Sequence, residues 1–454
     1  MRSTIGIARP VLVLIAMMSG VTSGAQNASK DHADEVVAWA RTKAIELPEF
    51  PSVETHADAV KAVVGAARVV ALGEPTHGAH EPLALRNGLF RYLVEHLGFT
   101  AIALESGLVE AKRVNDFVMG GAGDAKQIAR DNLTWGFGDY AQNVELLQWL
   151  RQYNDDLTHA RKVKFYGIDL SGGDAGGQFK PSHIALDDAL AYLQRLAPED
   201  ARVAHAELQS FLDRFTRGQY AKLSVDEQTR LRAAVENLIH ILERKRQRLI
   251  DASSELDYEW ALRSAISGGQ VEELFRLSPP DAPDDGLSPD LYSGWIARDA
   301  AMADNVQWVL RREGPAGRIF VFAHNVHVAN APLRGGIWNV FRQPLKPMGQ
   351  HLRAALGEQF LIIGTSAARN GAGVPAATEQ PGSLDTVLSR VGPKHFLLDI
   401  RLARQAPAAL SWLGQPQSLR ANFTTQQELA PANAFDAIAF MEELTAAHPS
   451  DAPR

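Results

Sequence analysis

The chain of 454 residues contains no cysteine. That excludes a disulfide framework, a thiolate nucleophile, a cysteine-ligated metal and a lipid-modified cysteine. Basic charge is not in excess: Lys and Arg number 46 against 53 Asp and Glu, for a formal net charge of −7. With a pI of about 6.1 there is no basic surface to suggest a nucleic-acid partner. No G-x-S-x-G nucleophile elbow and no H-E-x-x-H zinc motif occurs, and no internal repeat. The glycines at 172, 173, 176 and 177 do not have the spacing of a phosphate-binding loop and read as a flexible connection.

What remains is an ordinary globular composition, 46% hydrophobic and 22% charged, in a chain long enough for a large core. The N-terminus stands apart. Arg2 and Arg9 precede the apolar run Pro10–Met18, and Ser23-Gly24-Ala25 follows as an A-x-A-like cleavage site. That run is too short to span a membrane. Residues 1–25 are therefore expected to be a secretory signal, and residues 26–454 a periplasmic or secreted protein without membrane attachment. The oligomeric state is left open.

Val69–Phe90 is the stretch around which the rest organises. Val69-Val70-Ala71-Leu72 reads as a buried strand, Gly73 ends it, and Glu74, His77, His80 and Glu81 crowd into the turn before a helix with Pro82 near its start. Thr100–Leu104 reads as a second strand ending at Glu105, so strand, helix and strand make a parallel unit. Lys162–Ile168 reads as a third strand ending at Asp169, and Arg318–Ala323 as another running into His324-Asn325-Val326-His327. Later strands are expected at Gln359–Gly364, His395–Ile400 and Phe435–Met441. Residues 181–277 carry helical periodicity throughout, rich in Arg, Glu, Ala and Leu. The fold class expected is α/β, a mostly parallel sheet with flanking helices and a helical insertion, or cap, near 181–277. Pro279, Pro280, Pro283 and Pro289 mark a linker back to a long helix, Tyr292–Arg312.

Four strand ends thus present Glu74/His77, Glu105, Asp169 and His324/His327. Carboxylates converging with imidazoles suit hydrolysis by general acid–base catalysis, because imidazole exchanges protons near neutral pH and a carboxylate on its other nitrogen fixes the tautomer. Arg86, one turn into the helix, is placed to stabilise an oxyanion. Trp135 and Phe137 supply apolar wall for a large substrate, or core. Ser106 is the one serine that follows a strand as a nucleophile would. The rival is a metal site, for which His77, His80, His324 and His327 with the carboxylates hold enough ligands.

These residues resemble a known family. Gly73-Glu74-Pro75-Thr76-His77-Gly78, with Glu81, Arg86, Leu97-Gly98-Phe99 and Glu105, is similar to the signature of the erythromycin esterases, and Ala323–Val328 resembles their second motif. Trp149–Asn154, Tyr166–Asp169, Arg298–Asn305 and Met348–Leu352 also match familial segments. The resemblance implies His77 as general base for water with Glu74 in its motif, Arg86 and Glu105 as further essential residues, and His324 as a second active-site histidine with His327 beside it. Asp169, Trp135 and His327 are the expected substrate-binding residues. The implied reaction is hydrolysis of a small-molecule ester, a macrolide lactone, by activated water, with no cofactor and no covalent acyl-enzyme. The alternatives are an exported hydrolase of another ester and a periplasmic haem- or ligand-binding protein using His77 or His324 as axial ligand.

Overall fold

The computed structural model describes residues 32–47, 57–175, 178–278, 288–375, 379–422 and 425–450. The leader expected at 1–25 and most of the proline linker, Pro279, Pro280 and Pro283, lie outside them; Pro289 opens a short helical turn, Pro289–Leu291.

Eight strands form the central sheet: β1 (Ile45–Glu46), β2 (Val69–Glu74), β3 (Ala101–Gly107), β4 (Lys164–Asp169), β5 (Ile319–His324), β6 (Phe360–Asn370), β7 (His395–Asp399) and β8 (Ala437–Leu444). Their order is β1-β7-β8-β6-β2-β5-β3-β4. Every pairing from β8 to β4 is parallel, and β7 alone runs against the rest, antiparallel both to β8 and to the edge strand β1. The central strands β2, β3 and β5 are buried along their whole length, as a parallel sheet covered on both faces requires.

The parallel unit expected from β2 and β3 is present, but the two strands are not neighbours: β5 inserts between them. Local sequence cannot reveal that insertion, because β5 lies more than two hundred residues downstream. Its consequence is direct. Glu74 pairs in register with His324, so the second histidine motif enters between Glu74/His77 and Glu105. The chain leaves β2 towards β3 and leaves β5 towards β6, on opposite sides, which makes the crevice above β2 and β5 the usual ligand position of an open α/β sheet.

Helices His80–Leu97, Glu110–Val118 and Ala141–Asp155 cover one face through Phe90, Leu93, Val114, Leu147 and Leu150. Tyr292–Arg312 and Met348–Leu356 cover the other through Met302, Val306, Val309 and Leu352. The insertion is helical as expected, from Ile184–Leu196 to Glu255–Leu277, and has its own core around Leu193, Leu208, Phe211, Leu231 and Leu238. A hairpin of Gln417–Ala421 with Thr425–Leu429 was not expected. Its strands carry Gln, Ser, Arg and Glu with no alternation to mark them.

Candidate active site

Glu74 is the last residue of β2, and the turn Pro75–Ala79 lifts His77 above the sheet edge. Gly78 makes that turn possible: its φ is +72°, and a Cβ there would lie 2.7 Å from the Tyr140 hydroxyl. The His77 Nδ1 and a Glu74 carboxylate oxygen are 2.6 Å apart. A carboxylate at Nδ1 assigns the proton to that nitrogen and leaves Nε2 as the basic atom. Glu74 is 2% exposed, whereas the His77 side chain keeps 31% of its surface, which faces a cavity. Burial by itself lowers the imidazole pKa, but Glu74, through charge and hydrogen bond, and Glu105 outweigh it and the net effect is upward from 6.5.

The second half of the site is an ionic cluster built on helix Tyr292–Arg312. Arg298 donates through Nε (3.0 Å) and Nη2 (2.6 Å) to the two oxygens of Asp169, and through Nη2 to Glu105 Oε1 at 3.0 Å. The guanidinium lies between the Trp135 and Trp295 rings, 5.9 and 5.7 Å from their centroids. His327 is held between Asp299 at Nδ1 (2.9 Å) and Glu105 at Nε2 (3.3 Å). Against the cost of burial, Asp299 and Glu105 raise its pKa to about 10, so it stays an imidazolium at neutral pH. Burial pushes the Glu105 carboxyl up, but His327, His77 and Arg298 hold it well below its ordinary value, so it stays ionised.

His324 differs from expectation. Its Nδ1 accepts from the Val326 N–H (3.2 Å) and its Nε2 donates to the Pro75 carbonyl (3.1 Å). Burial and the neighbouring His77 hold its pKa well below 6.5. A neutral imidazole whose lone pair and N–H are both engaged with the backbone offers neither to a haem iron nor to a reacting group. It props the Pro75 carbonyl and packs edge-on against the His77 ring at 5.1 Å. Arg86 is a second correction. It is fully buried and absent from the cavity wall, its guanidinium on Asn87 Oδ1 (2.8 and 3.0 Å) and over the Phe322 ring. Burial lowers its pKa to about 9, partly offset by Glu74 and Glu145, and its place away from the cavity wall does not suit it to an oxyanion formed there.

Asp169 is also fully buried and does not reach the cavity; it holds Arg298 and accepts from the Trp135 indole N–H at 3.0 Å. Trp135, His324, His327, Glu105 and His77 do line the cavity. The Ser106 hydroxyl is buried against Thr134, accepting its N–H at 3.0 Å, away from the cavity. His80 turns elsewhere, to Gln142 and a stack on His448 at 4.7 Å. Among the described residues no three His, Asp or Glu side chains are grouped as metal ligands.

The cavity measures about 480 Å³. Its apolar wall is Leu274, Leu291, Trp295, Val326, Ile337 and Trp338; the helical insertion lends Arg217 and Leu274, and the 417–429 hairpin lends Ala421, Asn422 and Thr425. Arg298, Asp299 and Trp295 are the functional residues that reasoning from single strand ends missed. Their signal was the i, i+3, i+4 spacing of Trp295, Arg298 and Asp299, which puts them on one helix face.

The family model described as Erythromycin esterase matches residues 94–444. That span includes Glu105, Asp169, Arg298, His324 and His327 but begins after Glu74, His77 and Arg86. The chain is 28% identical over 314 residues to erythromycin esterase type II of Escherichia coli, covering 67% of this chain and 70% of that protein. The crystal structure of a Bacillus cereus protein superposes with a TM-score of 0.75 at 22% identity, over 91% of this chain and 98% of that one. That of an erythromycin esterase mutant, EreC, in its open conformation superposes with a TM-score of 0.65 at 21% identity, over 87% of this chain and 95% of that one. The fold of these solved structures is thus shared.

Proposed function

This chain belongs to the erythromycin esterase family of hydrolases, and from that premise we propose that it cleaves a carboxylic ester of a small molecule with water activated at His77. A macrolide lactone is the first candidate substrate, because the E. coli relative is an erythromycin esterase. The observation that carries the proposal is the 2.6 Å Glu74–His77 pair at a cavity that also holds two groups cationic at neutral pH, Arg298 and His327.

In this reading Glu74 fixes the Nδ1–H tautomer, and His77 Nε2 takes a proton from water as its oxygen attacks the ester carbon. The carbonyl π pair moves onto oxygen, and the oxyanion gains from the Arg298 guanidinium and the His327 imidazolium. Collapse breaks the C–O bond, and the alkoxide takes the proton from His77, giving acid and alcohol. Glu105 and Asp169 hold Arg298 and His327 in place; His324 supports the turn that carries His77. No covalent acyl-enzyme, cofactor or metal enters the scheme, and export under the leader at 1–25 is part of the proposal.

The test is incubation of the purified protein with a panel of macrolides and simple esters, read by mass. The expected product is substrate plus one water. Cleavage of no ester contradicts the proposal, and so does full loss of activity on chelation with recovery on one added metal.

A further inference from the structure

His80 sits in the titratable cluster that follows β2, yet its ring turns away from the cavity and onto the C-terminal segment. Past β8 the chain runs as a strap, Thr445–Ser450, across two turns. Four backbone bonds of 2.8 Å hold it: Ala447 N–H to the Gly78 carbonyl, His80 N–H to the Thr445 carbonyl, Ala141 N–H to the His448 carbonyl, and Ser450 N–H to the Asp139 carbonyl. The first two fix the turn that carries His77. The other two fix the helical turn Phe137–Asp139, whose Phe137 ring lies 5.3 Å from the His77 ring. One strap thus sets two sides of that imidazole. At its middle the His448 ring stacks on His80, with centroids 4.7 Å apart and planes 24° from parallel.

The stack is built for neutral rings. His80 Nδ1 is 2.6 Å from Gln142 Nε2, which can only donate, so the ring accepts there. A proton added at Nδ1 sets donor against donor. It also puts a cation at the first residue of helix His80–Leu97 and beside the start of Ala141–Asp155, two N-termini whose dipoles oppose it. Protonating both rings adds direct repulsion between like charges. Burial acts most strongly on His80 and lowers its pKa from 6.5; His448 on the strap acts the same way, against Glu81 on its own helix and Glu145 on Ala141–Asp155. Asp139 and Tyr140 are the other titratable groups of the turn that the strap crosses, and His77 is committed to Glu74. A docked strap therefore favours the neutral ring, so its hold is complete above 6.5 and is lost as pH falls below that value.

We propose that the His80–His448 stack is an acid-released latch: at neutral pH it docks the strap over both turns, and in acid the two imidazoles part, the strap lifts and the His77 turn loosens. The latch is read from the strap itself, so it holds independently of the reaction that the His77 turn serves.

Peptide-resolved hydrogen exchange on the full chain at about pH 7.5 and about pH 5, corrected for the intrinsic pH dependence of amide exchange, tests it. In the wild type, protection of residues 445–450, 77–81 and 139–142 is expected to fall together by about tenfold in acid, while helix Val225–Arg244 keeps its protection. His448→Phe keeps a stacking ring that cannot charge, and His448→Gln a flat neutral amide; in both, the three segments are expected to stay protected at either pH. Glu81→Gln still offers Thr445 an acceptor but does not titrate, and is expected to respond like wild type. Unchanged protection in the wild type overturns the proposal, and so does a fall of equal size in both His448 variants. A response that vanishes in Glu81→Gln and persists in the His448 variants overturns it by assigning the switch to the carboxylate. Loss of protection at about pH 7.5 in both His448 variants overturns it as well, because charge is then not what releases the strap.

Discussion

At the scale of single residues, the site divides its imidazoles by environment. His77 has one nitrogen on Glu74 and the other towards the cavity, His327 is clamped between two carboxylates, and His324 spends both nitrogens on the backbone. Only the first has the free basic atom that proton abstraction needs. The pH dependence follows with a definite sign. A base works deprotonated, so kcat/KM rises with pH as His77 loses its proton, with a midpoint above 6.5 because its pKa is raised. It falls again as pH passes about 10, where His327 loses its charge. In Glu74→Gln the acid limb shifts downward, because the carboxylate that holds the proton on is gone; an unmoved limb contradicts the pairing. Folding raises the His327 pKa, so its contribution to stability is complete below 6.5 and is lost as pH rises through about 10, which thermal melts across that range check.

Arg298 and Arg86 separate along the same lines. Arg298 touches the cavity and Arg86 does not. Arg298→Ala is expected to lower kcat by about 10²–10³-fold, as loss of an oxyanion donor does. Arg86→Ala removes a fully buried side chain that bonds Asn87 and packs over Phe322, so its first effect is a lower thermal midpoint. Melting curves and kcat for both variants decide. An Arg86→Ala protein that melts like wild type yet has no activity contradicts this division.

At the scale of elements, the catalytic turn is held by the C-terminal strap that continues from β8. Ala447 N–H donates to the Gly78 carbonyl at 2.8 Å, His80 N–H to the Thr445 carbonyl at 2.8 Å, and Thr445 donates through N–H and hydroxyl to Glu81 at 2.8 and 2.6 Å. Truncation after Leu444 is expected to lower kcat by about ten- to a hundredfold through misplacement of His77, with far-ultraviolet circular dichroism unchanged. Full activity of the truncated protein removes the strap from the account.

Much of this was legible in the sequence. β2, β3, β4 and β5 are marked by apolar runs that stop at Glu74, Glu105, Asp169 and His324, and Tyr292–Arg312 was delimited to the residue. The boundaries slipped by a few residues where polar side chains belong to the strand itself, as Glu74 and Glu105 do. What was not legible is partnership across the chain. Nothing near Arg86 tells whether it faces cavity or core, and nothing near His324 reveals that the carbonyl of Pro75, 249 positions away, accepts its N–H. Burial on both sides of a parallel sheet removes the alternation that would show facing, so the role of a charged residue there depends on tertiary neighbours.

At the scale of the whole molecule, the cavity is assembled from the sheet edge, the helical insertion, helix Tyr292–Arg312 and the 417–429 hairpin, elements far apart in sequence. The proposed export adds a further expectation: protein recovered from its native host begins near Gln26, which intact mass measures, and a chain retaining Met1–Ala25 contradicts it.

The central claim is that His77 is the general base. The most direct measurement is single-turnover hydrolysis, by wild type and His77→Asn, of whichever ester the wild type cleaves, with the folds compared by circular dichroism. The account predicts an intact fold and a rate lower by about 10²–10⁴-fold, the usual worth of a general base. A folded His77→Asn protein that turns over at the wild-type rate contradicts it.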